Sequence, residues 1–189
     1  MNNQKNFDTS EFKNTIYSDA QRYDDEYWWK TDDMEFWKKI LEMAPGKKVL
    51  ELAAGTGRLA IPLIREGADY TGIEISPEFC SQAKKKLLQH QMDAKFIQGD
   101  IRDLNLNETF DLIFIGFNSF LHLLKDDDAE SCLRCVKKHM HKDTIFVIDI
   151  FVPNPLFLYR PETRFPVMEY MDSLTGELTK VEETSIYDP

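Results

Sequence analysis

The stretch VLELAAGTGRLAIPL, Val49 to Leu63, decides how the rest of the chain is read. Val49 to Ala53 is apolar apart from one carboxylate and has the length of a buried strand. Gly55 and Gly57 follow, the residue type a tight turn needs. A helix then begins and runs on through Leu63. A strand, a Gly-rich turn and a helix in this order commonly hold a nucleotide-like ligand. GTGRLA, Gly55 to Ala60, satisfies the GxGxxG/A pattern, and Glu74 lies about 20 residues further on. An acid there accepts hydrogen bonds from a ribose diol, whichever cofactor carries the ribose. Taken alone, the pattern is equally met by a tight turn that holds nothing.

Outward from this unit, strand and helix patterns alternate. Strand one is KVLELA, followed by a helix over about 56–66 that stops near Gly67. Strand two is DYTGIEIS. The helix after it has Ser76 as N-cap and Pro77 at its first position. Strand three is AKFIQGD, and the loop IRDLNLNET leads to strand four, FDLIFIGF. Asp126 to Met140 read as a helix with an acidic start and a basic end, and TIFVIDIF is strand five. Nearly all-apolar strands predict a parallel sheet covered on both faces. The fold class is therefore α/β: a doubly wound, Rossmann-like, mostly parallel sheet with helices on both faces. Ligands in such sheets sit beyond the carboxyl ends of the strands. If strand one lies beside strand four, the loops after Ala53 and Phe117 face each other there.

Two segments flank this core. Residues 10–43 read as helical, a cap that buries most of the rings of Phe12, Tyr17, Tyr23, Tyr27, Trp28, Trp29, Phe36 and Trp37. At the other end, VPNPLFLYRPETRFP is too rich in Pro for a regular helix. VMEYMDSLTGELTKVEETSIYD then reads as an antiparallel β-hairpin turning near LTGE. The expected organisation is a helical cap over 1–45, a core over 46–152 and a hairpin segment over 153–189, in one domain overall.

Composition narrows the function classes. The chain has 189 residues, 42% of them hydrophobic, enough for one packed core. No apolar run is long enough to span a bilayer, and the polar start lacks the order of a signal peptide, so a cytoplasmic location and no membrane partner are expected. A net charge of −10 argues against nucleic acid. The KKK run at Lys84 to Lys86 reads as a solvated helix face. Three cysteines do not make a disulfide framework. Cys132 and Cys135 have CxxC spacing, but no second pair exists to complete a zinc site, so they read as buried helix cysteines and no metal is expected.

Three features select among nucleotide cofactors. Glu51, just before the loop, suits a ligand with an ammonium or sulfonium head and repels a pyrophosphate. Asp100, at the end of strand three, can accept from an adenine amino group, with Ile101 against the ring. About 45 residues precede strand one, whereas dinucleotide domains often begin with that strand. VLELAAGTGR, TGIEIS, QGDIRDL and FDLIFIGFNSFLHL, in this order, resemble the class I S-adenosylmethionine-dependent methyltransferases of small-molecule or uncharacterised bacterial type. The resemblance spans about 15–155. It implies S-adenosylmethionine as cofactor and S-adenosylhomocysteine as product. Glu51 and the backbone of Ala53, Ala54, Gly55 and Gly57 would surround the methionine part, and Glu74 the ribose hydroxyls. Ile75 and Ile101 would sandwich adenine, and Asp100 would bind its amino group. Phe117 and Asn118 would lie near the methyl sulfonium, with Tyr17 and Tyr23 closing over it.

This sequence departs from the family in two ways. Ala stands at 53, where Gly is usual, and at 54, where Gly or Cys is common; Ala keeps the backbone accessible if its φ stays negative, and cofactor binding is expected to survive. The family also continues for two more strands. Their absence before Pro189 reads as a fragment, as a natural truncation, or as a version that finishes its sheet by forming a homodimer through the open sheet edge or the C-terminal hairpin. Methyl transfer is an in-line displacement that needs orientation and dryness more than a nucleophile. His122 is the titratable residue placed to act as a base; it reads otherwise as a helix or loop histidine that packs or caps. Arg58 reads either as a partner for a carboxylate of cofactor or substrate or as a solvated first-turn residue. Asp103, Asp111 and Asp126 to Asp128 read as turn and helix-start residues. GFNSF after strand four lacks the Asn/Asp-Pro-Pro-aromatic motif of DNA amino methylation, which points to a small-molecule acceptor. The alternatives are a non-catalytic S-adenosylmethionine-binding module and, suggested by GTGRLA, an NAD-dependent oxidoreductase.

Overall fold

The computed structural model describes residues 16–186. Five parallel strands run in the order β3-β2-β1-β4-β5: β1 Lys48–Leu52, β2 Asp69–Glu74, β3 Lys95–Gln98, β4 Phe110–Ile115 and β5 Met140–Ile148. Strand order reverses between β2 and β4 with β1 in the middle, so the loops after β1 and β4 do face each other. The doubly wound α/β reading holds. Alternate residues of β1 serve opposite faces. Leu50 and Leu52 pack with Ile113, Ile115 and the Cys132, Cys135 and Val136 face of α5, Asp126–Lys138. Val49 packs on the other face with α2, Met34–Met43, α3, Ala60–Arg65, and α4, Pro77–Gln89, through Trp37, Leu41, Leu63 and Leu87. Beyond β5, no further strand pairs with the sheet among the described residues. No helix among them is long and apolar enough to cross a membrane.

The sequence places Ser76 correctly as an N-cap: its hydroxyl accepts from Phe79 N–H at 3.3 Å. Other boundaries move. The segment read as helical over 10–43 has, within the described residues, a 3-10 turn at Ile16–Ser18, α1 at Ala20–Glu26 and then α2. Phe12 lies outside the described residues. The break over 27–33 is held by Arg58, which donates to Lys30 O at 3.0 Å and to both oxygens of Asp33 at 2.7 and 2.8 Å. Trp28, Trp29 and Phe36 sit on or beside this break and are exposed, contrary to their reading as buried cap rings, whereas Trp37 is buried. The helix after β1 begins at Ala60 rather than near 56, because the intervening residues carry the left-handed turns of the loop.

Lys86 also corrects the sequence reading. Lys84 and Lys85 are exposed, but Lys86 reaches Asp24 at 2.8 Å and Thr56 at 3.1 Å. Asp111 belongs to β4, not to a turn, and accepts from Lys48 N–H at 2.9 Å. The Pro-rich segment contains one helical turn, α6 at Pro155–Leu158, because Pro155 takes the first helical position and Asn154 caps it. The hairpin is β6, Phe165–Met171, paired antiparallel with β7, Leu178–Glu183. It touches α1, where Asp25 accepts from Ser173 N–H at 2.8 Å.

Candidate functional site

A cavity of about 310 Å³ opens at the carboxyl ends of β1, β2 and β4, under the cap. Of the residues singled out in the sequence, Tyr17, Tyr23, Ala53, Gly55, Glu74, Ile75, Asp100, Ile101, Phe117, Asn118 and His122 line it. Glu51, Ala54, Gly57 and Arg58 do not.

The floor is the loop after β1. Ala53 has φ 57, Gly55 φ 58 and Gly57 φ 77, so three left-handed residues turn the chain within five positions. The condition of a negative φ at Ala53 is therefore not met. The reason is tertiary: Ala54 N–H donates to Ile73 O at 2.9 Å, tying the loop to β2 immediately after that residue. Close packing continues beneath the loop. A Cβ on Gly72 of β2 would come within 3.0 Å of the Ala54 methyl and 2.9 Å of the Phe96 ring. A side chain at 72 would push both away.

The two strand-end acids have different surroundings. Glu74 accepts from Gly55 N–H at 2.8 Å and from Ser76 N–H at 2.9 Å, which fixes its carboxylate at the cavity wall. Burial raises its pKa above the ordinary carboxylate value, and the two N–H groups oppose that rise. Glu51 points to the opposite side of β1, into the apolar layer under α2 and α3. The Tyr70 hydroxyl donates to it there. Burial pushes the Glu51 carboxyl up to about 8, against the pull of that hydrogen bond and of Arg58. Alternation along a strand explains the outcome: residue 51 shares the face of Val49, not that of Leu52.

At the end foreseen for adenine, Ile75, Asp100 and Ile101 line the cavity. The Arg102 guanidinium grips the Asp100 carboxylate at 2.7 to 3.0 Å, an arrangement the spacing did not reveal. The opposite end is aromatic. Tyr23 lies 4.7 Å from Tyr27 and 5.0 Å from Phe79 between ring centroids, and the Phe117 ring meets Tyr27 edge-on at 5.2 Å. Burial raises the pKa of Tyr17, Tyr23 and Tyr27, so all three are neutral phenols at pH 7. Tyr17 Oη and His122 Nε2 are 3.1 Å apart, joining the cap to the 3-10 turn Ser119–His122 after β4.

The cap is pinned by charge. Asp24 of α1 accepts from Thr56 at 2.5 Å, Gln82 at 2.9 Å and Lys86 at 2.8 Å. Arg58 pairs with Asp33, so it holds the cap in place and is neither a solvated residue nor part of the cavity lining. Phe79, Tyr27, Ser119 and Leu123 also line the cavity and were not foreseen as site residues. For Phe79 a signal existed: it stands three residues after Ser76, on the first turn of α4, directly beyond the end of β2.

The profile of a methyltransferase domain family matches residues 49–143, just over half of the chain. The chain belongs to that methyltransferase family. It is 30% identical over 86 residues to the cypemycin N-terminal methyltransferase of a Streptomyces species, a match covering 46% of this chain and 34% of that protein. Across the curated relatives it matches, the aligned stretch spans 34–45% of their own length. Among solved structures, Streptomyces venezuelae DesVI superposes with a TM-score of 0.70 at 20% identity, covering 88% of this chain and 70% of that one. An S-adenosylmethionine-dependent methyltransferase from Clostridium acetobutylicum ATCC 824 gives a TM-score of 0.66 at 21% identity, covering 89% and 80%. At these identities the superpositions describe the fold.

Proposed function

We propose that this chain binds S-adenosylmethionine in the cavity beneath the cap and transfers its methyl group to a small-molecule acceptor in the cytoplasm. The observation that carries the reading is the junction of Glu74 with Gly55 N–H. It sets a strand-end carboxylate beside the Gly-rich loop, facing a cavity large enough for a nucleoside. The name of the Clostridium neighbour, S-adenosylmethionine-dependent, and that of the cypemycin N-terminal methyltransferase support the same cofactor and a transfer to nitrogen.

The residues present fit this cofactor. Glu74 offers carboxylate oxygens to a ribose diol, Ile75 and Ile101 offer apolar surface to a purine, and Asp100 offers an acceptor to its amino group in exchange for one of its Arg102 hydrogen bonds. The rings of Tyr17, Tyr23 and Phe117 offer π faces to a cationic head. Once bound, the cofactor supplies an activated methyl group on sulfur. The aromatic roof then excludes water, and the walls align the acceptor with the methyl carbon. His122, held by Tyr17 through Nε2, serves as the base when the acceptor nitrogen must lose a proton. Glu51 plays no direct part in this scheme, so its charge no longer separates this cofactor from a dinucleotide.

Calorimetric titration with S-adenosylmethionine, S-adenosylhomocysteine and NAD tests the cofactor. Saturable heats with the first two and none with NAD are expected. Binding of NAD alone would overturn the reading. Formation of S-adenosylhomocysteine in the presence of small amines then tests turnover; tight binding with no transfer to any acceptor would favour a non-catalytic binding module.

A further inference from the structure

We propose that Asp149, just past the end of β5, is a positioning residue that holds Phe117 and Asn118 in the left-handed backbone conformation with which they wall the cavity. The functional part of this inference rests on the cofactor reading above. Phe117 has φ 51 and Asn118 φ 63. Left-handed backbone is uncommon outside glycine, and for a bulky residue such as Phe it is an outlier. Two such residues in succession persist only where their surroundings over-determine them.

Those surroundings are supplied from the exit of β5. Asp149 N–H donates to Ile115 O at 2.9 Å, and Asn118 N–H donates to Asp149 O at 3.0 Å. Any residue but proline at 149 can make these two bonds, which extend the β4–β5 pairing. A third bond depends on the side chain: Asp149 Oδ2 accepts from Phe117 N–H at 3.0 Å. Only Asp or Asn places an acceptor at that reach. Asn118 Oδ1 closes the turn by accepting from Phe151 N–H at 2.6 Å.

The turn so held carries the ring that joins three parts of the site. Phe117 meets Tyr27 of the cap and lies 5.3 Å from the Arg58 guanidinium and 5.8 Å from the Lys30 ammonium. Asn118 lines the cavity beside it. With the Phe117 N–H released, the turn relaxes toward ordinary backbone angles and the ring leaves this junction. The sequence shows no motif at 149, because the acceptor is brought to Phe117 by the pairing of β4 with β5.

The test uses Asp149→Ala and Asp149→Asn, read by amide hydrogen exchange and by calorimetric titration with S-adenosylhomocysteine. Asp149→Ala is expected to lose protection selectively at the Phe117 and Asn118 amides and to bind S-adenosylhomocysteine at least 10-fold more weakly. Asp149→Asn keeps an acceptor oxygen and is expected to recover most of both. Unchanged protection and affinity in the alanine variant would overturn the proposal. So would an equal, chain-wide loss of protection in both variants, which marks a general structural role. If the unmodified chain binds no S-adenosylhomocysteine, the cofactor reading fails separately. The exchange data then decide: selective loss at Phe117 supports positioning, and no change refutes it. Asp149→Ser, polar but too short to reach, replaces the alanine variant if that one does not fold.

Discussion

The two walls of the cavity are built by different physics. The sheet-side wall is main chain and carboxylate. Its left-handed residues at 53, 55 and 57 directly follow β1, whose side chains are almost wholly buried, so core packing holds this part in shape, while 117 and 118 after β4 lean in addition on Asp149. The cap-side wall is Tyr17, Tyr23 and Tyr27, carried by a 3-10 turn and by α1, a helix with no fully buried residue. What holds it is charge: Asp24 with Lys86 and Thr56, and Asp33 with Arg58. A wall built on a close-packed sheet is fixed by the fold. A wall held by partly buried ion pairs is fixed by a few side chains and can be released by removing one.

The most direct challenge to this contrast is at Glu74. Glu74→Ala leaves the Gly55 and Ser76 N–H groups without their acceptor, a cost of about 1–3 kcal/mol each when buried. It also removes the proposed ribose acceptor. Calorimetry with S-adenosylhomocysteine is expected to show no measurable binding, with thermal unfolding at a lower temperature. Unchanged affinity would move the ligand elsewhere.

Glu51 tests how dry the sheet side is. Its carboxyl is raised to about 8, so the folded chain keeps a proton that the unfolded chain releases near 4.5. The native state then binds more protons than the unfolded state between these values. Stability falls as pH rises from about 4.5 to about 8 and levels off above, by an amount on the order of a few kcal/mol. Denaturant unfolding across this range measures it, and Glu51→Gln is expected to flatten the profile. An unaltered profile in that variant would mean that another group carries the proton.

On the cap side, Arg58→Ala strips the half-buried Asp33 of a two-pronged partner and is expected to cost about 1–3 kcal/mol. Limited proteolysis over 27–33 is the discriminating measurement. Cleavage there with the sheet intact supports a charge-held wall, and resistance equal to that of the unmodified chain contradicts it. Ala53→Gly goes the other way. A residue at φ 57 without a Cβ is relieved of strain, so a gain of about 1 kcal/mol is expected in denaturant unfolding. The smallest effect is expected at the hairpin. Asp25→Ala removes one exposed cap on Ser173 N–H and is expected to lower stability by about 0.5 kcal/mol or less, with the β6–β7 pairing preserved.

Much of this molecule was legible before any coordinates. Apolar strands alternating with capped helices specify a parallel sheet, because each pattern has only one way to bury itself. Glu74, Asp100 and Phe117 could be placed at the strand ends, since a strand followed by a turn leaves its last residues at the sheet's carboxyl edge. Side-chain direction and partnership were not legible. Glu51 was expected at the cofactor and instead lies on the far face with Tyr70. Arg58 was left open between ligand and solvent and instead grips Asp33. Lys86 was read as solvated and instead holds Asp24. Each depends on a residue 19 to 62 positions away in the chain.

The sequence by itself determined the order of strands and helices, the Gly-rich turn and the family to which that turn belongs. These follow from local conformational preference and from the periodicity of burial, both of which are written along the chain. Tertiary structure alone decided which buried acid faces the cavity, how the aromatic cap is held over it, and that Asp149 meets Phe117. Those outcomes are set by which distant backbone or charged group arrives at a given place, and only the packed sheet brings them together.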